Sequence, residues 1–392
     1  MNKKLSQIIS LFLCCILLVV TFSGCIEKEQ KPGKEELLVP QIKLDQPSIL
    51  PDWKDGEYHD YYETTDMLSD FKVKYHDLVN VFSIGKSVLG KDIWCIRITN
   101  ENNTKPKSSC LIDGCIHGEE WEAGEACLYL SEYLLINFDV NETITHILNS
   151  SEVYLVPLVN PDARQDDSRY NDNGINLDRN FDIDFGRIRG GVMPLGKLFG
   201  RIKIPYIETP RLHKWIPSFP DRLENCGRHP FSEPETQALR DLMRELENND
   251  FSFYLNIHTA LHCIGGPWDA FKPPFEKSKQ EQYIFDYVAE WVVENTEYEE
   301  YDKEINLNYK MSGGAADWCF KEFRIPTFWI EILSPDYDAI YGEKKHDNLA
   351  HWMKTTIPVF MYLLVNIDNL RQWRTPDIQP SLPEGVPPPP LK

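Results

Sequence analysis

Basic residues are in short supply in this 392-residue chain: 41 Lys and Arg stand against 61 Asp and Glu, for a formal net charge of −20. A surplus of that sign repels nucleic-acid phosphates and anionic membrane surfaces, so neither is expected as a partner. C-x₂-C pairs are missing, although there are 10 cysteines, which excludes the usual structural zinc sites built on that spacing. A spanning helix needs about 20 apolar residues. The run from Ile8 to Phe22 is short for one. There is no internal repeat, so the fold is not an array. What the chain does have is 42% hydrophobic and 12% aromatic residues, enough for a sizeable core in one large domain or two ordinary ones.

The N-terminus has the marks of a secretory signal over residues 1–24: Lys3 and Lys4, the apolar run, then Ser23 and Gly24. Phe22-Ser-Gly-Cys25 resembles a lipobox, in which Cys25 becomes the lipidated first residue of the mature chain. The alternatives are cleavage without lipidation and an uncleaved membrane anchor. The expected location is therefore the outer face of the cell membrane as a lipoprotein, or secreted, with no membrane contact beyond the anchor. Residues 25–52 read as a polar tether, 53–373 as the folded domain and 374–392 as a proline-rich tail. Cys95, Cys110 and Cys115 lie in apolar runs and read as buried thiols. Cys226 and Cys263 are the first choice for a disulfide in an exported protein. Oligomeric state is left open.

Apolar runs alternate with helix-like segments. Strands are predicted within Val81–Thr99, then over Ser108–Ile116, Glu152–Val159, Phe251–Ile257 and Thr327–Ile332. Helices are predicted over Tyr61–Val81, Trp121–Phe138, from the Ser232/Glu235 capping box to Glu247, over Lys277–Thr296, and over His346–Trp373 with a break near Pro358. Runs such as Glu152–Val159, apolar without alternation, suit strands buried on both faces. The pattern predicts an α/β fold: a mixed, mostly parallel sheet with helices on both faces, in one catalytic domain. Residues 182–228, rich in Gly, Pro and Arg, fit no regular element and read as an insertion near the site.

His117 and Glu120 stand three residues apart where a strand gives way to a helix. A neutral imidazole and a carboxylate at that spacing can share one cation. His258, at the end of another apolar strand, is the candidate third ligand, with His262 a nearby competitor. A short-spaced pair plus a distant third ligand is the usual arrangement of a catalytic zinc. Arg169 and Arg179 flank Gly174 in a loop after a strand, and their guanidinium groups suit a carboxylate or a developing oxyanion. Glu331 lies inside an apolar strand, where a carboxylate is costly unless paired or functional. Taken singly, each residue has a blander explanation as a core histidine, a solvated arginine or a paired acid.

Together, and in this order, the pieces resemble the zinc carboxypeptidase family of the pancreatic type. The resemblance covers about Tyr61 to Leu370. It rests on His117–Glu120, Asn160-Pro-Asp162, Asp178-Arg-Asn-Phe181, Pro230–Thr236, His258, Tyr309 with Ser312-Gly-Gly314, and Glu331. It implies one Zn²⁺ per chain on His117, Glu120 and His258, with Glu331 as the proton-transferring base. It implies that Arg169 polarises the scissile carbonyl, Arg179 grips the substrate's terminal carboxylate and Tyr309 closes over it. Thr259 and Ala316 join the substrate-facing set, Ala316 at the base of the specificity pocket, where a small neutral residue argues against strict selection of Lys or Arg. The family's Asp-Leu-Asn-Arg clamp reads Asn176-Leu-Asp178-Arg179 here. Asp178 would repel a substrate carboxylate by about a kcal/mol or more. The implied activity is zinc-dependent removal of C-terminal residues from peptides. The rivals are an amidohydrolase acting on cell-wall peptides or acylated amino acids with an amino-bearing terminus, and a non-catalytic peptide-binding lipoprotein.

Overall fold

Cys110–Ile112 and Val153–Val156 are apolar at every position, and both runs form strands with almost no exposed residue. They belong to one eight-stranded sheet. In chain order its strands begin with β1 (Val79–Lys86), β2 (Asp92–Ile98), β3 (Ser108–Asp113) and β4 (Ser151–Val156). Four short strands follow outside this sheet: β5 (Arg187–Arg189), β6 (Val192–Pro194), β7 (Arg201–Lys203) and β8 (Tyr206–Glu208). The sheet resumes with β9 (Phe251–Thr259), β10 (Cys263–Gly265), β11 (Glu299–Glu300) and β12 (Thr327–Ile332), in the spatial order β1-β2-β4-β3-β9-β12-β10-β11. The four central strands run parallel, while β1, β2 and β10 pair antiparallel with neighbours. This computed structural model describes residues 48–189, 192–194, 201–203, 206–208, 225–259, 261–300, 310–332 and 349–372. These residues lie in one contact unit, Pro40–Pro380.

The helices are α1 (Tyr61–Lys74), α2 (Trp121–Asn137), α3 (Glu142–Ser150), α4 (Pro161–Asp166), α5 (Pro234–Glu247), α6 (Lys279–Asn295), α7 (Ala315–Phe323), α8 (Leu349–Val365) and α9 (Ile367–Gln372). On one face of the sheet the register partners Leu111, Tyr154 and Tyr254 join a core with Leu239 and Leu242 of α5 and Trp318 and Phe323 of α7. Strand geometry sends the intervening Ile112, Leu155 and Leu255 to the opposite face. All three are fully buried, and α2 packs against their strands. The expected mixed sheet with helices on both faces is the one observed.

Several boundaries differ from the prediction. Helix α1 ends at Lys74 rather than Val81, because Val79 onward is taken up by pairing with β2. Its start is fixed by a capping box between Asp60 and Glu63, a device that contributes about 1 kcal/mol. The Ser232/Glu235 box does not form. Asn180 Oδ1 accepts from the backbone of Glu233 and the hydroxyl of Thr236, and Glu235 turns to the N–H of Val88. Pro358 does not break the last helix; it lies inside α8, and the interruption falls at Asn366, whose amide bonds back to the carbonyl of Tyr362. The 182–228 segment is not wholly irregular: β5 pairs with β8 and β6 with β7. No disulfide joins Cys226 to Cys263; both are buried, where a thiol packs as a small apolar group. The signal, Cys25, most of the tether and the tail lie outside the described residues, within which no helix is long and apolar enough to cross a membrane.

Candidate metal centre

The chain leaves β3 for β4 on one side, while β9 lies on the other side of β3, so the strand order reverses between β3 and β9. In open α/β sheets the crevice at the carboxyl ends of such strands is the usual ligand site. His117 and Glu120 occupy the turn between β3 and α2, which Glu120 closes by donating its N–H to the carbonyl of His117. Gly118 is needed in that turn, since a Cβ there would lie 2.2 Å from the carbonyl carbon of Ala163 at the start of the next crossover. His258 is the penultimate residue of β9, inside the strand rather than just beyond it.

These three side chains converge. Nδ1 of His117 lies 2.7 Å from Oε1 of Glu120, and Nδ1 of His258 lies 3.0 Å from Oε2. The donor atoms all fall within 4.8 Å of one another, and exposures of 1%, 4% and 7% exclude bulk water as their partner. The backbone N–H of Thr259 donates to the same carboxylate at 3.3 Å. Both Nε2 atoms face amide oxygens instead of solvent, His117 that of Asn176 at 3.0 Å and His258 that of Asn256. Burial pushes the Glu120 carboxyl up, but the two imidazoles outweigh it and hold it well below the usual range. Burial lowers His117, and the positive charge of Arg169 lowers it further. Burial also opposes the charge on His258, yet Glu120 prevails and raises it to about 9. Two imidazoles and one carboxylate gathered this closely fit a zinc ion with a position left open. His262, the competitor, sits elsewhere, its ring 4.6 Å from that of Tyr298.

Glu331 of β12 is the register partner of His258. Its Oε2 is covered and makes no hydrogen bond. Burial raises its carboxyl to about 8, with Glu120 and Asp178 adding to the rise and His258 and Arg169 opposing it. Arg169 reaches the triad at Glu120, its Nη1 3.0 Å from Glu120 Oε1 and 3.4 Å from Glu119.

Arg179 is held by its own loop. Its Nη1 donates to the carbonyl of Asp178 at 2.7 Å and to Asp178 Oδ2 at 3.1 Å, and its Nη2 contacts the sulfur of Met311 at 3.0 Å. The other oxygen of Asp178 accepts from the N–H of Ala315 at 2.9 Å, at the start of α7. Gly313 allows this docking, because a Cβ there would lie 2.2 Å from the carbonyl oxygen of Arg179. Ala316, next on α7, is buried in the core. Tyr309 lies outside the described residues.

Asn176, Asn256 and Asp113 were not among the residues predicted to matter. Asn256 shares the face of His258 two positions back on β9, a spacing visible in the sequence. Asn176 lies inside the clamp motif, and its partner His117 is distant in sequence.

A zinc carboxypeptidase family model matches residues 64–342. The chain is 23% identical over 295 residues to carboxypeptidase O of Bos taurus, covering 71% of each chain. It is 28% identical over 214 residues to carboxypeptidase D of Mus musculus, covering 50% of this chain but 14% of that longer protein. Among solved structures, that of thrombin activatable fibrinolysis inhibitor has a TM-score of 0.63 at 18% identity over 80% of this chain and 75% of its own, a likeness of fold. With the fold, the triad and the family model in agreement, the chain belongs to the zinc carboxypeptidase family and is a metallopeptidase, with His117, Glu120 and His258 as its candidate zinc site.

Proposed function

We propose that this chain hydrolyses the C-terminal peptide bond of peptides. The observation that carries the reading is Glu331, a covered carboxylate with an unbonded oxygen, set beside a metal ligand. Zinc in such a site acidifies water and polarises a carbonyl. Glu331 takes a proton from the attacking water as the C–O bond forms and passes it to the departing amine as the C–N bond breaks, so the proton is conserved. Arg169 faces the oxyanion that develops on the carbonyl carbon's oxygen, where a guanidinium is best placed to act. Arg179 reads the terminal carboxylate, and Thr259 and Tyr309 take the substrate-facing roles that the family resemblance implies. The test is hydrolysis of peptides with free and blocked C-termini by the zinc-loaded chain and by Glu331→Gln, with metal content measured in both.

A second reading, zinc amidohydrolysis of an amide whose terminus bears an amino group, is favoured by Asp178. This carboxylate offsets the charge of Arg179 at the clamp, and so weakens the pull on a plain carboxylate. Amino-bearing amides outpacing plain peptides in the same assay would select it. A non-catalytic binding role is disfavoured, because binding does not require a half-buried carboxylate with an unbonded oxygen at position 331.

The protein is proposed to act outside the cytoplasm, anchored through lipidated Cys25. Labelling with a radioactive fatty acid, lost in Cys25→Ala, tests the anchor.

A further inference from the structure

Behind His258 a chain of buried polar groups leads away from the site. Nε2 of His258 meets Oδ1 of Asn256, Nδ2 of Asn256 donates to Oδ1 of Asp113 at 2.5 Å, and the hydroxyl of Tyr254 donates to Oδ2 of Asp113 at 2.7 Å. Tyr254, Asn256 and His258 are alternate residues of β9, so all three project from one face of the strand. Asp113 is the register partner of Asn256 on β3, the strand that runs into His117 and Glu120. Nothing in this row reaches solvent: Asp113 and Tyr254 are fully buried and Asn256 nearly so.

The hydrogen-bond chemistry permits one orientation at each step. Oδ1 of Asp113 is an acceptor, so Asn256 must turn its NH₂ toward it. The Tyr254 hydroxyl can either donate to or accept from Oδ2, so the orientation is kept when Asp113 is ionised and also when it carries its proton on Oδ2. Asn256 then has only its carbonyl oxygen left for His258. An amide oxygen cannot donate, so Nε2 of His258 must carry a hydrogen, and Nδ1 is the nitrogen left to give its lone pair to a cation. Nδ1 is the atom aimed at Glu120 and the cation site.

We propose that Asp113 and Asn256 are positioning residues that set which nitrogen of His258 is free to bind zinc. Asp113 acts through the orientation of Asn256, and Asn256 acts directly on the ring. The inference rests on His258 being a zinc ligand. Metal-ligating histidines depend on the group that holds their other nitrogen, and losing that group costs about 10–100-fold in affinity.

The test uses the zinc-loaded full chain, ¹⁵N-labelled at histidine, with zinc affinity measured by chelator competition. The wild-type spectrum is expected to show zinc on Nδ1 of His258 and a slowly exchanging hydrogen on Nε2. Asn256→Leu is expected to speed that exchange and weaken zinc binding about 10–100-fold, while the ring hydrogen of His117, held by Asn176, stays as it was. Asp113→Asn keeps an oxygen for Asn256 and should bind zinc as the wild type does, whereas Asp113→Val should behave like Asn256→Leu. Wild-type shifts that place zinc on Nε2 would overturn the proposal without any variant having to fold. Unchanged exchange and affinity in Asn256→Leu would also overturn it. Zinc binding that survives His258→Ala would instead remove the ligand assignment on which the proposal stands.

Discussion

Glu331 and His258 are direct register partners across the parallel strands β12 and β9. Partner positions in a parallel pair project to the same face, so a base and a metal ligand are placed side by side by the sheet itself. Because rigid strands hold both groups, replacing one carboxylate by an amide should leave the site intact. Glu331→Gln is expected to retain zinc and to lose about 10²–10⁴-fold in kcat, the usual contribution of a general base. Metal analysis alongside peptide hydrolysis checks this, and loss of zinc in the variant would show that Glu331 acts structurally.

Asp113 gives the metal-free chain a pH-dependent stability. Burial raises its carboxyl from the ordinary 3.8 to about 7, although Tyr254 and Asn256 oppose the rise. Between those values the unfolded chain has released this proton and the folded chain has kept it. The stability owed to this group is therefore full below the lower value and is lost as pH rises through the upper one. Asp113→Asn cannot lose a proton, so its urea midpoint should gain on that of the wild type across the window and hold its lead above it. A difference that does not vary with pH would contradict the raised pKa.

At His117 the backing group is a neutral amide, Asn176, at 3.0 Å. A carboxylate there would make the imidazole a stronger donor to zinc. Asn176→Asp is expected to tighten zinc binding by about tenfold in chelator competition. Unchanged affinity would mean that the ring's basicity does not limit binding.

Much of this was legible in the sequence, and what was hidden shares a cause. The central strands announced themselves as apolar runs, and His117, Glu120, His258 and Glu331 each stood at a strand end or inside a strand. Boundaries set by long-range partners were not readable. Helix α1 was shortened by a strand that pairs with β2, and the start of α5 was settled by Asn180, more than fifty residues away. The amides behind the two histidines were missed for the same reason, since an asparagine on a strand has no signature until its partner is placed. Arg179 was foreseen as a clamp, but its contacts with Asp178 and Met311 are products of the fold.

The Asp178–Arg179 contact should govern recognition of the substrate's end. Asp178→Asn keeps an oxygen for the N–H of Ala315 and removes a negative charge from the clamp. KM for peptides with a free C-terminal carboxylate is expected to fall about tenfold, equivalent to ~1.4 kcal/mol, with kcat little changed. A KM that rises would instead favour the amino-bearing substrate.

The most direct measurement compares matched peptides with free and amidated C-termini, incubated with the zinc-loaded chain and with Glu331→Gln. The expected result is release of the C-terminal residue from the free peptide alone, by the wild type alone, with zinc retained in both proteins. Equal survival of both peptides beside zinc-loaded wild type would contradict a carboxypeptidase and turn the search to amino-bearing amides. A chain that binds no zinc would contradict the metallopeptidase itself.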